Sequence, residues 1–371
     1  MTRIEYLAGH VVYDNPKPHV HSRHGYFPGL LQLPSGELLG LFMLAEAFEA
    51  PNGTTWITRS SDGGVTWKLQ SPLYDKSWVG FETTDTLKAT LLRDGRLIAL
   101  GYRFHRHDLE EGIAIPATGG IQQGDDLVTF SCDQGRSWEN VRAIPRSYPE
   151  LLEISGPCIE LRSGELLATA ALFKMPDGSS PSGQRGVLLR SRDQGRSWDD
   201  TQPFSPPENN LTPFESRLCE MPDGRLVILV WAFDCRTNTH LPNCVFVSRD
   251  EGRTWSQPID TGHMGQASSL ISLGGDLLLT IHAHRGENPG LVVRLIDFGS
   301  DVWRPLAEAT IYGGRTGPQT RTGQNMAQMF HSLRFGQPSL LKLASGEILA
   351  THWCVEDGQG KIRTHRLAVG P

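Results

Sequence analysis

Cysteine is scarce, at six in 371 residues. Cys132, Cys158, Cys219, Cys235, Cys244 and Cys354 form no CxxC pair, which argues against a zinc knuckle and leaves six thiols read as reduced. Basic charge is not in excess. Lys and Arg number 35 against 41 Asp and Glu, for a net charge of −6, so there is no electrostatic footprint for nucleic acid. Long apolar runs are missing as well. The longest, such as residues 226–233, is the size of a strand and far short of a membrane span. The opening residues, MTRIEYLAGHVVYDNP, lack the apolar core of a secretory signal. Together these absences lead us to expect a cytoplasmic chain without membrane or nucleic-acid partners.

What is present is turn chemistry and repetition. Glycine numbers 40 and proline 24, which suits many short strands. An apolar strand, a tight glycine turn and a second apolar strand recur six times. The copies are LLQLPSGELLGLFML (30–44), TLLRDGRLIALGYRF (90–104), CIELRSGELLATAAL (158–172), LCEMPDGRLVILVWA (218–232), LISLGGDLLLTIHA (270–283) and LLKLASGEILATHW (340–353). Each reads as a β-hairpin whose Gly (36, 95, 164, 224, 275 or 346) supplies a positive φ.

A second motif follows four of the hairpins after one further strand: SSDGGVTW (60–67), SCDQGRSW (131–138), SRDQGRSW (191–198) and SRDEGRTW (248–255). A worn copy occupies 297–303, and the sixth repeat has none. In a four-stranded blade this box falls at the turn between the third and fourth strands. Its Asp (62, 133, 193 or 250) then braces the turn through backbone N–H groups, and its Trp packs between blades. Four antiparallel strands repeated six times give an all-β, six-bladed propeller over 1–371, with residues 4–13 completing the last blade and closing the ring. Insertions at about 107–123 and 311–333 are expected to cover its mouth.

Boxes on a six-fold repeat resemble the sialidase superfamily, the Asp-box or BNR-repeat propellers. The resemblance implies the fold; its catalytic pattern is matched only in places. Tyr26-Phe27-Pro28 stands where the family has Arg-Ile-Pro. Glu46 matches, but Phe48 occupies an arginine position, and residues 50–55 hold no acid/base Asp. Glu215, Glu220 and Asp223-Gly224 match, while Trp231 replaces an arginine and Ala267 replaces the nucleophilic tyrosine. A true sialidase is therefore not expected.

Because the boxes mark one face, functional groups are sought on the other, where the first strand of each blade begins and the second ends. The candidates are Arg23, His24, Tyr26 and Glu46 from blade I, and Glu82, Asp85, Tyr102, Arg103, His105 and His107 from blade II. Blade III offers Glu153, Ser155 and Lys174; blade IV offers Glu215, Arg217, Trp231 and Asp234. Blade V adds His263, Gln266, His282, His284 and Arg285, and blade VI adds Gln337, His352 and Trp353. Glu215, Glu46, Asp85, His105, His282 and Tyr102 are the expected catalytic groups. Arg23, His24, Tyr26, Arg103, His107, Arg217, Trp231, His263, His284, Arg285, Gln337 and His352 are the expected substrate contacts. Arg315, Arg321, Asn325 and His331 in the second insertion would suit an acidic group on a sugar.

The leading expectation is a glycoside hydrolase acting on a small, possibly acidic saccharide, which needs two carboxylates across the scissile bond. Aromatic platforms such as Tyr26, Phe48, Trp231 and Trp353 suit the apolar face of a sugar ring. An alternative is a lyase or epimerase on a uronic acid, with His105, His282 or Tyr102 as base and Arg103 or Arg285 on the acid group. A non-catalytic propeller that binds sugar or protein is another. No cofactor is required, although His282, His284 and a third histidine could hold a divalent metal.

Overall fold

The structure is a computed structural model and describes residues 3–313, 329–330 and 332–370. Six antiparallel sheets form the six blades of a propeller. Blade I consists of His24–Gln32, Leu38–Ala45, Thr54–Ser60 and Lys68–Pro72, from the axis outward. Blade VI consists of Phe335–Lys342, Ile348–Glu356, Gln359–Gly370 and then Arg3–Tyr13. The N-terminal strand thus pairs with the C-terminal one, Arg3 opposite Gly370 and Tyr6 opposite Leu367, and closes the ring. Among the described residues no helix is long and apolar enough to cross a membrane.

Burial follows position in the blade. The second strands, such as Leu38–Ala45 and Leu226–Asp234, are buried at every residue because both faces pack on neighbouring blades. They therefore read as continuous apolar runs rather than alternating ones. The outermost strand Lys68–Pro72 is largely exposed. The hairpin turns repeat closely. In five of them the glycine has φ between +86° (Gly36) and +90° (Gly224, Gly346), a region where a Cβ is strained. All six cysteines are free.

The boxes are turn braces. Asp62 Oδ1 accepts the N–H groups of Val65 and Thr66, and Thr66 Oγ1 donates to Oδ2 at 2.6 Å. Asp133, Asp193 and Asp250 repeat this pattern. These hydrogen bonds hold all four carboxyls well below the ordinary range, so they stay ionised and take no part in proton transfer near neutral pH. Each Trp packs against its own blade and the preceding one; Trp67, for example, lies on Leu38 of blade I and on Leu343 and Leu349 of blade VI.

One irregularity positions the site. The innermost strands of blades I, IV, V and VI slip register near their beginnings, at Tyr26/Gly29, Phe214/Arg217, Gln266/Ser268 and Gly336/Ser339. At each slip a non-glycine residue adopts positive φ: Phe27 (54°), Glu215 (46°), Ala267 (25°) and Gln337 (38°). Bulges of this kind re-aim side chains, and strained backbone gathers at working sites. In blade III the innermost strand is broken instead, into Leu152–Glu153 and Ile159–Glu160, with Pro157 between them.

Candidate active site

On the face opposite the boxes, the channel opens into a cavity that spans about 860 Å³ when its open mouth is counted. Its walls are aromatic: Phe27 and Phe48 from blade I, Tyr102 and Phe104 from blade II, Phe173 from blade III, Phe214 and Trp231 from blade IV, and Trp353 from blade VI. The two insertions add Ile113, Ile121, Met329, Phe330 and Leu333. Phe48 packs edge-on to Phe27, Tyr26 and Phe330 with ring centroids 5.3–5.6 Å apart. The Trp231 indole lies parallel to the His240 ring and donates to His240 Nδ1 at 3.2 Å, which fixes its plane.

The polar groups of the cavity are few: Asp85, Glu153, Glu215, Arg285 and Gln337, with Thr84, Thr86 and the Tyr102 hydroxyl. Glu153 Oε2 accepts the backbone N–H of Glu215 at 2.9 Å, so the bulge that aims Glu215 is itself held by the second carboxylate. Glu215 Oε1 accepts from Gln337 Nε2 at 3.3 Å, while its Oε2 is buried without a partner. Such an orphan is costly in a resting structure and is expected where a reacting group docks. Arg217 lies just beneath; its Nη1 donates to Ser155 Oγ and to the carbonyls of Glu215 and Ser216. Arg285 is anchored by Gln266 Oε1 and the Phe335 carbonyl.

Electrostatics separate the two glutamates. Burial raises Glu153, and the neighbouring Glu215 charge raises it further. Burial also raises Glu215, but Arg217, Arg285, Gln337 and Lys88 oppose that shift. Two coupled carboxyls in one dry site share a proton, and these surroundings place it on Glu153. Burial and the nearby glutamates push the Tyr102 hydroxyl well above its usual range, so it stays protonated as a donor.

The residues expected from the sequence divide into two groups. Glu215, Asp85, Tyr102, Trp231, Arg285 and Gln337 line the cavity, with Arg217 below its floor. Asp85, however, is fully engaged. It accepts the Thr55 N–H at 2.8 Å, Thr55 Oγ1 at 2.6 Å and the Tyr74 hydroxyl at 3.0 Å, and pairs with Lys76 Nζ at 2.6 Å. It ties blade I to blade II and has no oxygen left for a substrate. Asp85→Ala would strand the Lys76 charge, so thermal or denaturant unfolding should show a loss of about 3–5 kcal/mol.

The other candidates lie elsewhere. Glu46 is exposed on a loop. Arg23 packs its guanidinium over Trp56, and His24 is held by Ser22 and the Gly360 N–H. Tyr26 is buried behind Phe27 and Phe48. Arg103 and His105 share Asp125 Oδ2, at 2.7 and 3.0 Å, and His107 packs on Phe81 beside them. His282 contacts Arg294 and sits near His263, while His284 Nε2 faces the Glu287 carbonyl. His352 stacks on His365, with their Nε2 atoms 3.0 Å apart. Burial and the Arg294 charge push His282 down to about 3, so it is neutral at physiological pH. Among the described residues no three His, Cys, Asp or Glu side chains converge to hold a metal ion, and His282 turns instead to Arg294. Arg315, Arg321, Asn325 and His331 lie outside the described residues.

Several cavity residues carried no sequence signal of their own. Phe104, Phe173 and Phe214 read simply as strand residues. A stricter use of alternation would have found Phe104, two residues from Tyr102 and on the same face.

The sequence matches the BNR repeat-like domain over residues 113–309, just over half of the chain. No curated protein matches it. Among solved structures, a protein of unknown function from Dyadobacter fermentans DSM 18053 superimposes with a TM-score of 0.75 at 21% identity, over 99% of both chains. The Hadza microbial sialidase Hz136 gives 0.68 at 18% identity, covering 97% of this chain and 68% of that one. An α-L-arabinanase from Penicillium chrysogenum, complexed with arabinobiose, gives 0.64 at 16% identity over 98% of both. At these identities the structural likeness speaks to the fold, a sialidase-like six-bladed propeller. The family match reaches further, and the chain belongs to the BNR repeat-like domain family.

Proposed function

We propose that the protein is a glycoside hydrolase that binds a short saccharide in the aromatic cavity and cleaves it with Glu153 and Glu215. The observation that carries this reading is the coupled glutamate pair on the floor of an otherwise aromatic cavity. A sugar ring offers C–H groups to aromatic faces such as Trp231 and Trp353, and its few polar contacts are then made at the floor. Glu153 keeps its proton and acts as general acid on the leaving oxygen. Its Oε2 accepts the Glu215 N–H, which leaves Oε1 to carry that proton. Glu215 stays ionised beside Arg217 and Arg285 and acts on the anomeric carbon or on the attacking water. Gln337 orients it, and Tyr102 donates a hydrogen bond within the cavity.

Two further observations support this reading over elimination. Of the three bases considered for an elimination, the imidazoles of His105 and His282 lie outside the cavity, and Tyr102, which lines it, is held protonated by burial and the nearby glutamates. The similar Hadza protein is a sialidase and the similar Penicillium protein an arabinanase seen with arabinobiose, so propellers of this shape act on sugars. The family's arginine, tyrosine and aspartate positions hold Trp231, Ala267 and no acid, so the substrate proposed here is not a sialic acid.

The test is a screen of short neutral and acidic glycosides, following both new reducing ends and ultraviolet absorbance. Hydrolysis yields reducing ends without absorbance. An unsaturated product would support elimination instead, and turnover unaffected by Glu215→Gln would refute the site.

A further inference from the structure

A second space opens at the other end of the channel, on the face that carries the Asp boxes. It is open to solvent and is bounded by the lower halves of the innermost strands. Polar side chains from five consecutive blades reach its wall, among them Lys88 from blade II, Ser155 from III, Arg217 from IV, Ser269 from V and Ser339 from VI. Blade I brings Gly29, and a Cβ there would lie 2.7 Å from Lys88 Cδ, so the missing side chain makes room for the lysine stem. Lys88 is 3% exposed and Arg217 6%.

Two buried basic side chains at this vestibule have no carboxylate in direct contact. The Lys88 ammonium has three protons to donate, and its hydrogen-bond partner is the Thr86 hydroxyl at 2.9 Å. Among the described residues neither Lys88 nor Arg217 is ion-paired with a carboxylate, although both are buried. In the layer that separates the two spaces, Lys88, Arg217 and Arg285 face the carboxyls of Glu153 and Glu215; burial and the Arg217 charge push Lys88 down to about 7, so near neutral pH it carries its proton only in part, and an anion beside it would hold that proton in place. Two acids, Glu160 and Glu220, stand at the lower end of the same wall and have partners of their own. Glu160 accepts the Arg93 N–H at 2.7 Å, and Glu220 pairs with Arg162 at 3.6 Å. Buried cations are ordinarily paired, and an open, hydroxyl-lined space beside two unpaired ones is suited to an anion.

We propose that this lower vestibule is a binding site for a small oxyanion, held by Lys88 and Arg217 with the surrounding serine hydroxyls. The site opens on the opposite face from the sugar cavity, although Lys88 and Arg217 also act on Glu215 through the layer between them. Inorganic phosphate, titrated calorimetrically into the full chain in a buffer free of other oxyanions, is the probe. The wild type should bind it. Lys88→Met should weaken binding at least tenfold. Ser339→Leu, which fills the vestibule at a half-buried position and leaves both charges in place, should do the same. The second variant guards against a folding defect in the first, and phosphate should raise the melting temperature of the wild type more than that of either variant. Displacement of phosphate by sulfate alone would identify a tetrahedral anion, and displacement by acetate as well would extend the site to carboxylates. No binding to the wild type at 20 mM phosphate, or equal binding in the wild type and both variants, would overturn the proposal. A loss of glycoside turnover in Glu215→Gln leaves it untouched, so the two readings fail separately.

Discussion

Glu215→Gln lowers kcat/KM for the best glycoside by about 10³–10⁴-fold and leaves the melting temperature close to that of the wild type. The magnitude is that of removing a positioned acid–base or nucleophilic carboxylate. Stability is spared because the side chain contributes little to the fold. Oε2 has no partner, and Oε1 accepts from Gln337 at 3.3 Å. The backbone bond to Glu153 that shapes the bulge belongs to the Glu215 N–H and survives the substitution. Steady-state kinetics beside a thermal melt checks both halves. A matching fall in stability would mean that Glu215 is a structural residue.

Glu153→Gln separates the two carboxyls by leaving group. A natural sugar leaving group needs protonation, so its cleavage should fall by about 10²–10³-fold. An aryl glycoside with an acidic phenol departs without a proton and should lose less than about tenfold. The pH profile should change too. Burial and the Glu215 charge raise Glu153, so the wild type holds its catalytic proton well above the ordinary carboxyl range and loses activity on the alkaline side as that proton leaves, while protonation of the raised Glu215 sets the acid limb. The variant keeps no such group, and its alkaline limb should disappear. An unchanged limb, or equal losses on both substrates, would take the general-acid role away from Glu153.

Much of the fold was legible because it repeats. One hairpin with a glycine turn says little, but six at regular spacing, four followed by a box, fix strand number, blade count and the face that carries the turns. The N-terminal strand could be placed by the same count, since blade VI lacks a fourth strand of its own and Arg3–Tyr13 fills that edge. The box aspartates could be set aside from spacing alone, and their hydrogen bonds explain why: each carboxylate is used up within its turn.

The site was legible only in part, and the reason is parity. The rule that strand ends converge on the channel found Tyr102, Trp231, Arg285 and Gln337. Side chains alternate along a strand, however, and the rule did not say which face turns inward. In blade II, Tyr102 and Phe104 face the cavity, while Arg103 and His105 turn to Asp125. In blade V, Arg285 reaches the cavity, while His282 turns to Arg294. In blade VI, Trp353 lines the wall and His352 stacks on His365. The histidines gathered from the sequence thus sit one residue out of phase with the site. Glu215 escaped this ambiguity because it stands on a bulge, where two residues share one register position and a positive φ re-aims the side chain. That bulge depends on Glu153 from the next blade, a contact between residues 62 positions apart that no local pattern announces.

The central claim is that Glu215, set on its bulge and flanked by Glu153, meets the anomeric carbon of a sugar held between aromatic walls. A crystal structure of Glu215→Gln with the best saccharide from the screen tests it most directly. The ring should stack on Trp231 or Trp353, with its anomeric carbon about 3–3.5 Å from the residue 215 side chain. A sugar bound outside the cavity, or inside it with the glycosidic bond out of reach of residues 153 and 215, would contradict the account.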